Sequence, residues 1–267
     1  MKYNLLIARF SEIAIKSHPV RKRLLKILIK NIKKAMLKNK IEAVVYAKWE
    51  RIFVETKNIK KATNILKHIF GIVSISPVIK LKLSNLEKTI KNYAHMAKNK
   101  NFAVRVKRVG NHDFTSRDME KKLGSIILSK INAKVNLEKP DITFYVEIRN
   151  DDAYLYFDVI PGPGGMPLGS EQKVFCEIKN KRDLVACWLM MKRGCKVVIF
   201  PKISIKPLKK WLYGEHKIIK KLDEFCLKLP KVSGDSLKKI KINGIKFYPI
   251  CCLTQEEIDK IFKKINN

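Results

Sequence analysis

The chain is 267 residues long and carries 57 Lys+Arg against 24 Asp+Glu, a formal net charge of +33, with 46% apolar residues. That apolar share excludes a disordered polyelectrolyte, the length allows two or three small domains, and no stretch reaches the ~18–20 consecutive apolar residues that span a bilayer. The charge excess is most easily tolerated beside a polyanion, with nucleic acid the first candidate and a membrane surface the second; the plain alternative is lysine used as a default solvated residue.

Residues 3–9 read as a buried strand, and the short N-terminal apolar run lacks the small-residue cleavage site of a signal peptide. A basic amphipathic helix is expected over about 19–38, with Leu24, Leu25, Ile27, Leu28, Ile32 and Met36 on its apolar side. Strands at 42–47 and 51–55, a helix at about 59–69 ending where Gly71 suits a C-cap, and a strand at 72–80 complete a ferredoxin-like order. The first domain is therefore placed at 1–77.

A second block, 78–165, repeats this logic. A helix at about 84–98 precedes strand 102–108, and a loop leads to a helix over about 116–131 with Ser116 as N-cap. Strands 142–149 and 153–159 flank the turn Asn150-Asp151-Asp152. The Gly/Pro-rich segment 161–169 is the expected linker. Its glycines either let amides approach phosphates or merely permit a tight turn. Beyond it, 173–178, 184–192 and 196–200 read as strand, helix, strand, opening an abbreviated α/β domain at 166–267.

Period two along strand 102–108 places Phe102, Val104 and Val106 on one face and Ala103, Arg105 and Lys107 on the other. Arg108 carries the charge into the following loop and Arg117 opens the next helix, where arginines suit phosphate oxygens. The alternative is a solvated face with salt bridges. His112 reads as a surface histidine in a loop.

Several segments, in order, then resemble one family. F-A-V-R-V-K-R (102–108), S-R-D-M-E-K-K-L-G-S-I-I-L (116–128), the run from Val135 through Tyr156 and the closing G-G-M-P-L-G-S are similar to the THUMP domain of tRNA 4-thiouridine synthetase, the tRNA sulfurtransferase family. S-E-I-A-I-K-S at 11–17 resembles that family's G-E-I-x-L-K-G loop with serines for both glycines, and F-G-I-V-S-I-S-P at 70–77 matches the end of its ferredoxin-like domain. The resemblance covers about residues 1–200. It implies an α+β part, ferredoxin-like plus THUMP, followed by a shortened Rossmann-like PP-loop remnant. It also implies binding of tRNA at the acceptor stem and 3′ end. By position, Glu12, Lys16, Arg105, Lys107 and Arg108 become expected RNA contacts; Arg117 joins them on charge and location.

The family's catalytic loop, S-G-G-x-D-S, holds ATP phosphates on backbone amides. The corresponding positions here are Ile178, Lys179, Asn180, Lys181, Arg182 and Asp183, with neither glycine kept. Side chains at the glycine positions obstruct close backbone approach, so ATP binding is not expected, and no catalytic residue or other cofactor is assigned. All six cysteines, Cys176, Cys187, Cys195, Cys226, Cys251 and Cys252, lie in the last third, without a C-x-x-C pair. They read as structural thiols in a reducing, cytoplasmic setting rather than metal ligands, and Cys251 and Cys252, as neighbours in extended chain, are expected to point apart. Thr254 and Glu257 form a capping box opening a final helix.

These features lead to a tRNA-binding protein without catalysis of its own, acting in tRNA modification with no membrane partner. A separate modification enzyme as partner and a homodimer, as in the family, both stay open. The alternatives are an active sulfurtransferase for 4-thiouridine formation, by itself or completed by a partner subunit, and an rRNA- or ribosome-binding factor.

Overall fold

The computed structural model describes residues 3–214, 216–221, 229–235 and 246–266. Strand β1 (Leu5–Arg9), helix α1 (His18–Lys38), β2 (Val44–Lys48), β3 (Arg51–Glu55), α2 (Ile59–Leu66) and β4 (Ser74–Lys82) come first. β1 sits between β3 and β4, antiparallel to both, with β2 outside β3, which is the ferredoxin-like arrangement. The apolar stripe of α1 buries Leu24, Leu28, Ile32, Ala35 and Met36 on the sheet, while Leu25 and Ile27 are only partly covered. α2 ends earlier than its sequence suggests, with Lys67 as C-cap. Gly71 is not that cap: at φ +99° it donates its amide to the Gly164 carbonyl, 2.9 Å away, in the turn before β4.

The second block follows as α3 (Leu86–Tyr93), β5 (Asn101–Val109), α4 (Ser116–Leu128), β6 (Lys134–Val135), β7 (Ile142–Arg149), β8 (Asp152–Tyr156) and β9 (Ile160–Pro161). Here Thr115, not Ser116, caps α4. Its hydroxyl accepts from the Asp118 amide while the Asp118 carboxylate accepts from the Thr115 amide. Ser116 is the first helical residue because the capping box needs its acid three places on, and only Thr115 has one.

β4 is shared by both blocks. Its first half, 74–78, pairs with β1, and its second half, 79–82, pairs with β8, so the expected boundary at 77/78 falls inside one continuous strand. The path runs β2-β3-β1-β4-β8-β7-β5-β6. Three places separate β3 from β8, yet the Phe53 and Tyr154 rings lie 5.5 Å apart. Neighbouring strands are about 4.8 Å apart, so a flat sheet would hold those side chains at roughly 14 Å. The two half-sheets therefore fold toward each other about β4, burying Leu5, Ile7, Phe53, Val78, Tyr154 and Tyr156 in the wedge.

The glycine-rich segment is strapped to both sides of its course. Ile160 and Pro161 pair with Ile75 and Ser74, so even this segment opens with a two-residue strand. The amides of Gly162, Gly164, Met166 and Gly169 donate to Val73, Ile72, Lys192 and Gly194 carbonyls, which settles its glycines as turn and packing residues rather than a phosphate cradle. Gly165, at φ +75°, sits so close that a Cβ would fall 2.2 Å from the Lys192 carbonyl oxygen. Gly165→Ala is expected to destabilise by at least about 1–3 kcal/mol, read as a lowered denaturation midpoint at unchanged slope.

β10 (Glu171–Ile178), α5 (Lys181–Lys192) and β11 (Cys195–Pro201) form a parallel unit, extended by β12 (His216–Ile218), β13 (Lys231–Val232) and β14 (Lys246–Phe247) in the all-parallel order β12-β11-β10-β13-β14. α5 and α6 (Gln255–Asn266) pack on one face. Trp188, Trp211 and Phe70 meet with centroids 5.3–5.5 Å apart, and the buried Asn31 amide donates to the Leu168 carbonyl at 2.9 Å, fixing this α/β layer to the first ferredoxin-like layer.

Candidate nucleic-acid interface

The burial along β5 follows the expected alternation with one exception. Phe102, Val104 and Val106 are buried against α4, Arg105 and Lys107 are exposed, and Ala103 is buried with the other face. Arg105 and Lys107 stand beside Tyr145 and Glu147 in the parallel register with β7. Arg105 donates to the Leu137 carbonyl, and no acid pairs with it among the described residues. Arg108 is half-buried and reaches the Gly110 carbonyl at 3.3 Å and His112 Nδ1 at 3.4 Å. His112 Nε2 is 3.0 Å from the Asn150 carbonyl, which only accepts, so Nε2 carries the proton and Nδ1 receives from Arg108. His112 thus braces the loop. Arg117 is exposed on the first turn of α4.

Glu12 and Lys16 lie elsewhere. Their loop after β1 is held by buried Ile13 and by the Ala14 amide on the Ser11 carbonyl. Both exposed side chains border a cleft of about 1000 Å³ between the linker and the α/β layer, together with Glu171, Lys192 and Arg193. None of these residues lines the groove of about 330 Å³ that Arg117 borders, so the expected contacts divide between two surfaces.

Sequence reasoning missed a charge cluster in the wedge. Glu147, on β7, is 1% exposed and takes Arg9 Nη2 at 2.8 Å, Arg149 Nη2 at 2.7 Å and the Tyr156 hydroxyl at 3.3 Å. Arg51 Nε lies 3.3 Å from the same carboxylate but outside hydrogen-bonding geometry. Burial alone would raise the Glu147 pKa; Arg9, Arg149 and Arg51 outweigh it and bring it down to about 2. The only sequence signal was period two, which puts Tyr145, Glu147 and Arg149 on one face of a mostly apolar strand.

The loop aligned with the family's ATP-binding loop is short and filled. β10 runs through buried Ile178 and α5 begins at Lys181, leaving Lys179 and Asn180 between them. Asn180 Oδ1 accepts from the Arg182 and Asp183 amides at 2.8 and 3.1 Å. Asp183 accepts from the Lys179 and Gly234 amides, and Arg182 Nε donates to the Gly234 carbonyl. A Cβ on buried Gly234 would come within 2.7 Å of the Asp183 amide nitrogen, so this backbone lies directly over the helix N-terminus. Lys181 pairs with Asp259 and Lys179 with Glu177. The Lys179, Arg182 and Asp183 amides are spent within the protein, and the residues present do not fit the ATP phosphates.

Cys176, Cys187 and Cys195 are buried, and burial pushes up the Cys176 and Cys195 thiols, the latter to about 11. Cys226 lies outside the described residues. Cys251 and Cys252 do not point apart: they occupy a turn rather than extended chain, and their sulfurs are 3.5 Å from each other. Thr254 and Glu257 form the expected capping box.

A ferredoxin-like layer joined through a shared strand to a second α+β block, with an α/β layer behind, defines a THUMP-type protein. The ThiI ferredoxin-like domain family matches residues 5–76 and the THUMP domain family residues 82–158. A probable tRNA sulfurtransferase of Methanocaldococcus jannaschii is 34% identical over 267 residues, covering 93% of this chain and 69% of the relative. That of Methanobrevibacter smithii is 39% identical over 208 residues, and the chain spans only 53% of its length. The chain belongs to the tRNA sulfurtransferase family. The crystal structure of PH1313 from Pyrococcus horikoshii Ot3 superposes with a TM-score of 0.84 at 26% identity, covering 99% of this chain and 100% of that one. A 4-thiouridine synthetase–RNA complex with bound ATP shares the fold, at TM-score 0.67 and 22% identity over 81% of this chain and 61% of that one.

Proposed function

We propose that this protein binds tRNA through its ferredoxin-like and THUMP parts and serves tRNA modification in the cytoplasm as a binding or accessory subunit, without ATP chemistry of its own. The observation that carries this reading is the N-terminus of α5, capped by Asn180 and covered by Gly234. In support of RNA as the ligand stand the net charge of +33 and the exposed Arg105, Lys107 and Arg117. The acceptor stem and 3′ end are the proposed tRNA elements, in line with recognition by shape, backbone and unstacked bases. A separate enzyme would then supply the modification chemistry. Residues 1–77, 78–165 and 166–267 are proposed as its functional units. ATP–pyrophosphate exchange, measured with and without bound tRNA, is expected to stay at background. Exchange above background would restore the sulfurtransferase reading for this chain.

A further inference from the structure

Cys251 and Cys252 stand in the turn between β14 and α6, and the RNA-binding reading uses neither. Two overlapping turns shape this segment. The Cys251 amide donates to the Tyr248 carbonyl at 3.3 Å and the Leu253 amide to the Ile250 carbonyl at 3.1 Å. Extended chain would send neighbouring side chains to opposite sides, but this winding brings both sulfurs to one side, 3.5 Å apart. The turn is anchored at both ends. Ile250 is buried in the α/β core, Leu253 packs against that core, and Thr254 opens α6 through its capping box with Glu257. The pair is therefore held in place before any ligand arrives.

Access separates these two thiols from Cys176, Cys187 and Cys195. Those three are buried, whereas Cys251 is half-buried and Cys252 exposed. The spacing of the sulfurs then sets the chemistry. With a thiolate bond of about 2.3 Å, one ion bridging sulfurs 3.5 Å apart holds an S–ion–S angle of about 100°. A linear two-coordinate ion would need the sulfurs about 4.6 Å apart. Structural zinc takes four ligands, and no group of three or more His, Cys, Asp and Glu side chains suited to a metal occurs among the described residues. A direct disulfide is disfavoured as well: adjacent Cα atoms lie about 3.8 Å apart across a trans peptide, short of the ~4.4–6.8 Å that disulfides usually span. What remains is a thiophilic, pyramidal centre that takes two protein thiolates and one outside ligand. Trivalent arsenic has that geometry, because its lone pair presses its three bonds below the tetrahedral angle.

We infer that Cys251 and Cys252 form a chelating site for a trivalent arsenical, the arsenic bent between the two sulfurs. Binding of arsenous acid forms two As–S bonds, and two As–OH groups leave as water with the two thiol protons. Arsenic stays trivalent, and the step needs neither oxidant nor reductant. The flanking residues Pro249 and Leu253 border the cleft that Lys16, Lys192 and Arg193 also line, so an occupied pair adds bulk beside that cleft. The site is independent of how the protein binds RNA.

The test is titration of the full chain with phenylarsine oxide in a phosphine reductant, read by native mass spectrometry and calorimetry. The oxo group leaves as water as the two As–S bonds form. Wild type is expected to take up one phenylarsenic group per chain in place of two protons. Cys251→Ser and Cys252→Ser are each expected to bind about a hundredfold more weakly with Tm unchanged, since one thiolate alone loses the chelate. Cys252→Ser, at an exposed position, carries the test should Cys251→Ser fall in Tm. Cys226→Ser keeps wild-type binding. Zinc is expected to bind wild type about a hundredfold more weakly than the arsenical, for want of further ligands. Single variants that bind as tightly as wild type, loss of binding in Cys226→Ser, or zinc binding as tightly as the arsenical overturns the site. So does a Cys251–Cys252 disulfide that forms in air and resists glutathione.

Discussion

Replacing Glu147 with glutamine is expected to cost about 3–5 kcal/mol of folding stability, the usual range when one partner of a buried ion pair is removed. Glutamine keeps the volume but leaves Arg9, Arg51 and Arg149 converging on a neutral group inside the wedge. Of these, Arg9 and Arg51 come from the ferredoxin-like strands and Arg149 from the THUMP strands, so the carboxylate ties the half-sheets together as well as neutralising charge. The pH dependence follows from the same residue. Its folded-state pKa is depressed from 4.5 to about 2, so its contribution is fully present above pH 4.5 and is lost as pH falls toward 2. A shift of that size corresponds to about 3 kcal/mol. Urea midpoints measured across this window are expected to fall steeply for the wild type and much less for Glu147→Gln. Parallel pH profiles for the two proteins would remove Glu147 from the account of how the halves are held.

Arg105→Ala with Lys107→Ala is expected to weaken tRNA binding and to reduce the slope of log K against log salt by about one to two. Both side chains are exposed, so the change in binding should come without a change in Tm. The salt slope is the discriminating readout, because it counts phosphates neutralised rather than affinity alone. An unchanged slope places the RNA on another face, and the cleft lined by Lys16, Lys192 and Arg193 is then the next surface to alter.

What the sequence made legible was local. The stripe of α1, the alternation of β5 and the Thr254–Glu257 capping box each depend on residues a few places apart, and each forms. Residues 173–178 and 196–200 likewise form the parallel pair β10 and β11. The folding of the half-sheets about β4 was not legible, because it brings together Phe53 and Tyr154, or Arg9 and Glu147, from strands that do not pair. A second limit appears at the aligned ATP loop. Matching six positions marked the missing glycines, but not that Asn180 and Gly234 would close the helix end, since Gly234 lies 51 residues from Asp183.

The most direct test of the central claim is ultraviolet crosslinking of the protein to RNA in cells, with sequencing of the RNA and mapping of the crosslinked peptides. The account predicts tRNA as the dominant ligand, with crosslinks at the acceptor end and in peptides from β5, α4 or the loop carrying Glu12 and Lys16. Dominant recovery of ribosomal RNA, or of tRNA crosslinked only within the α/β layer, would contradict it.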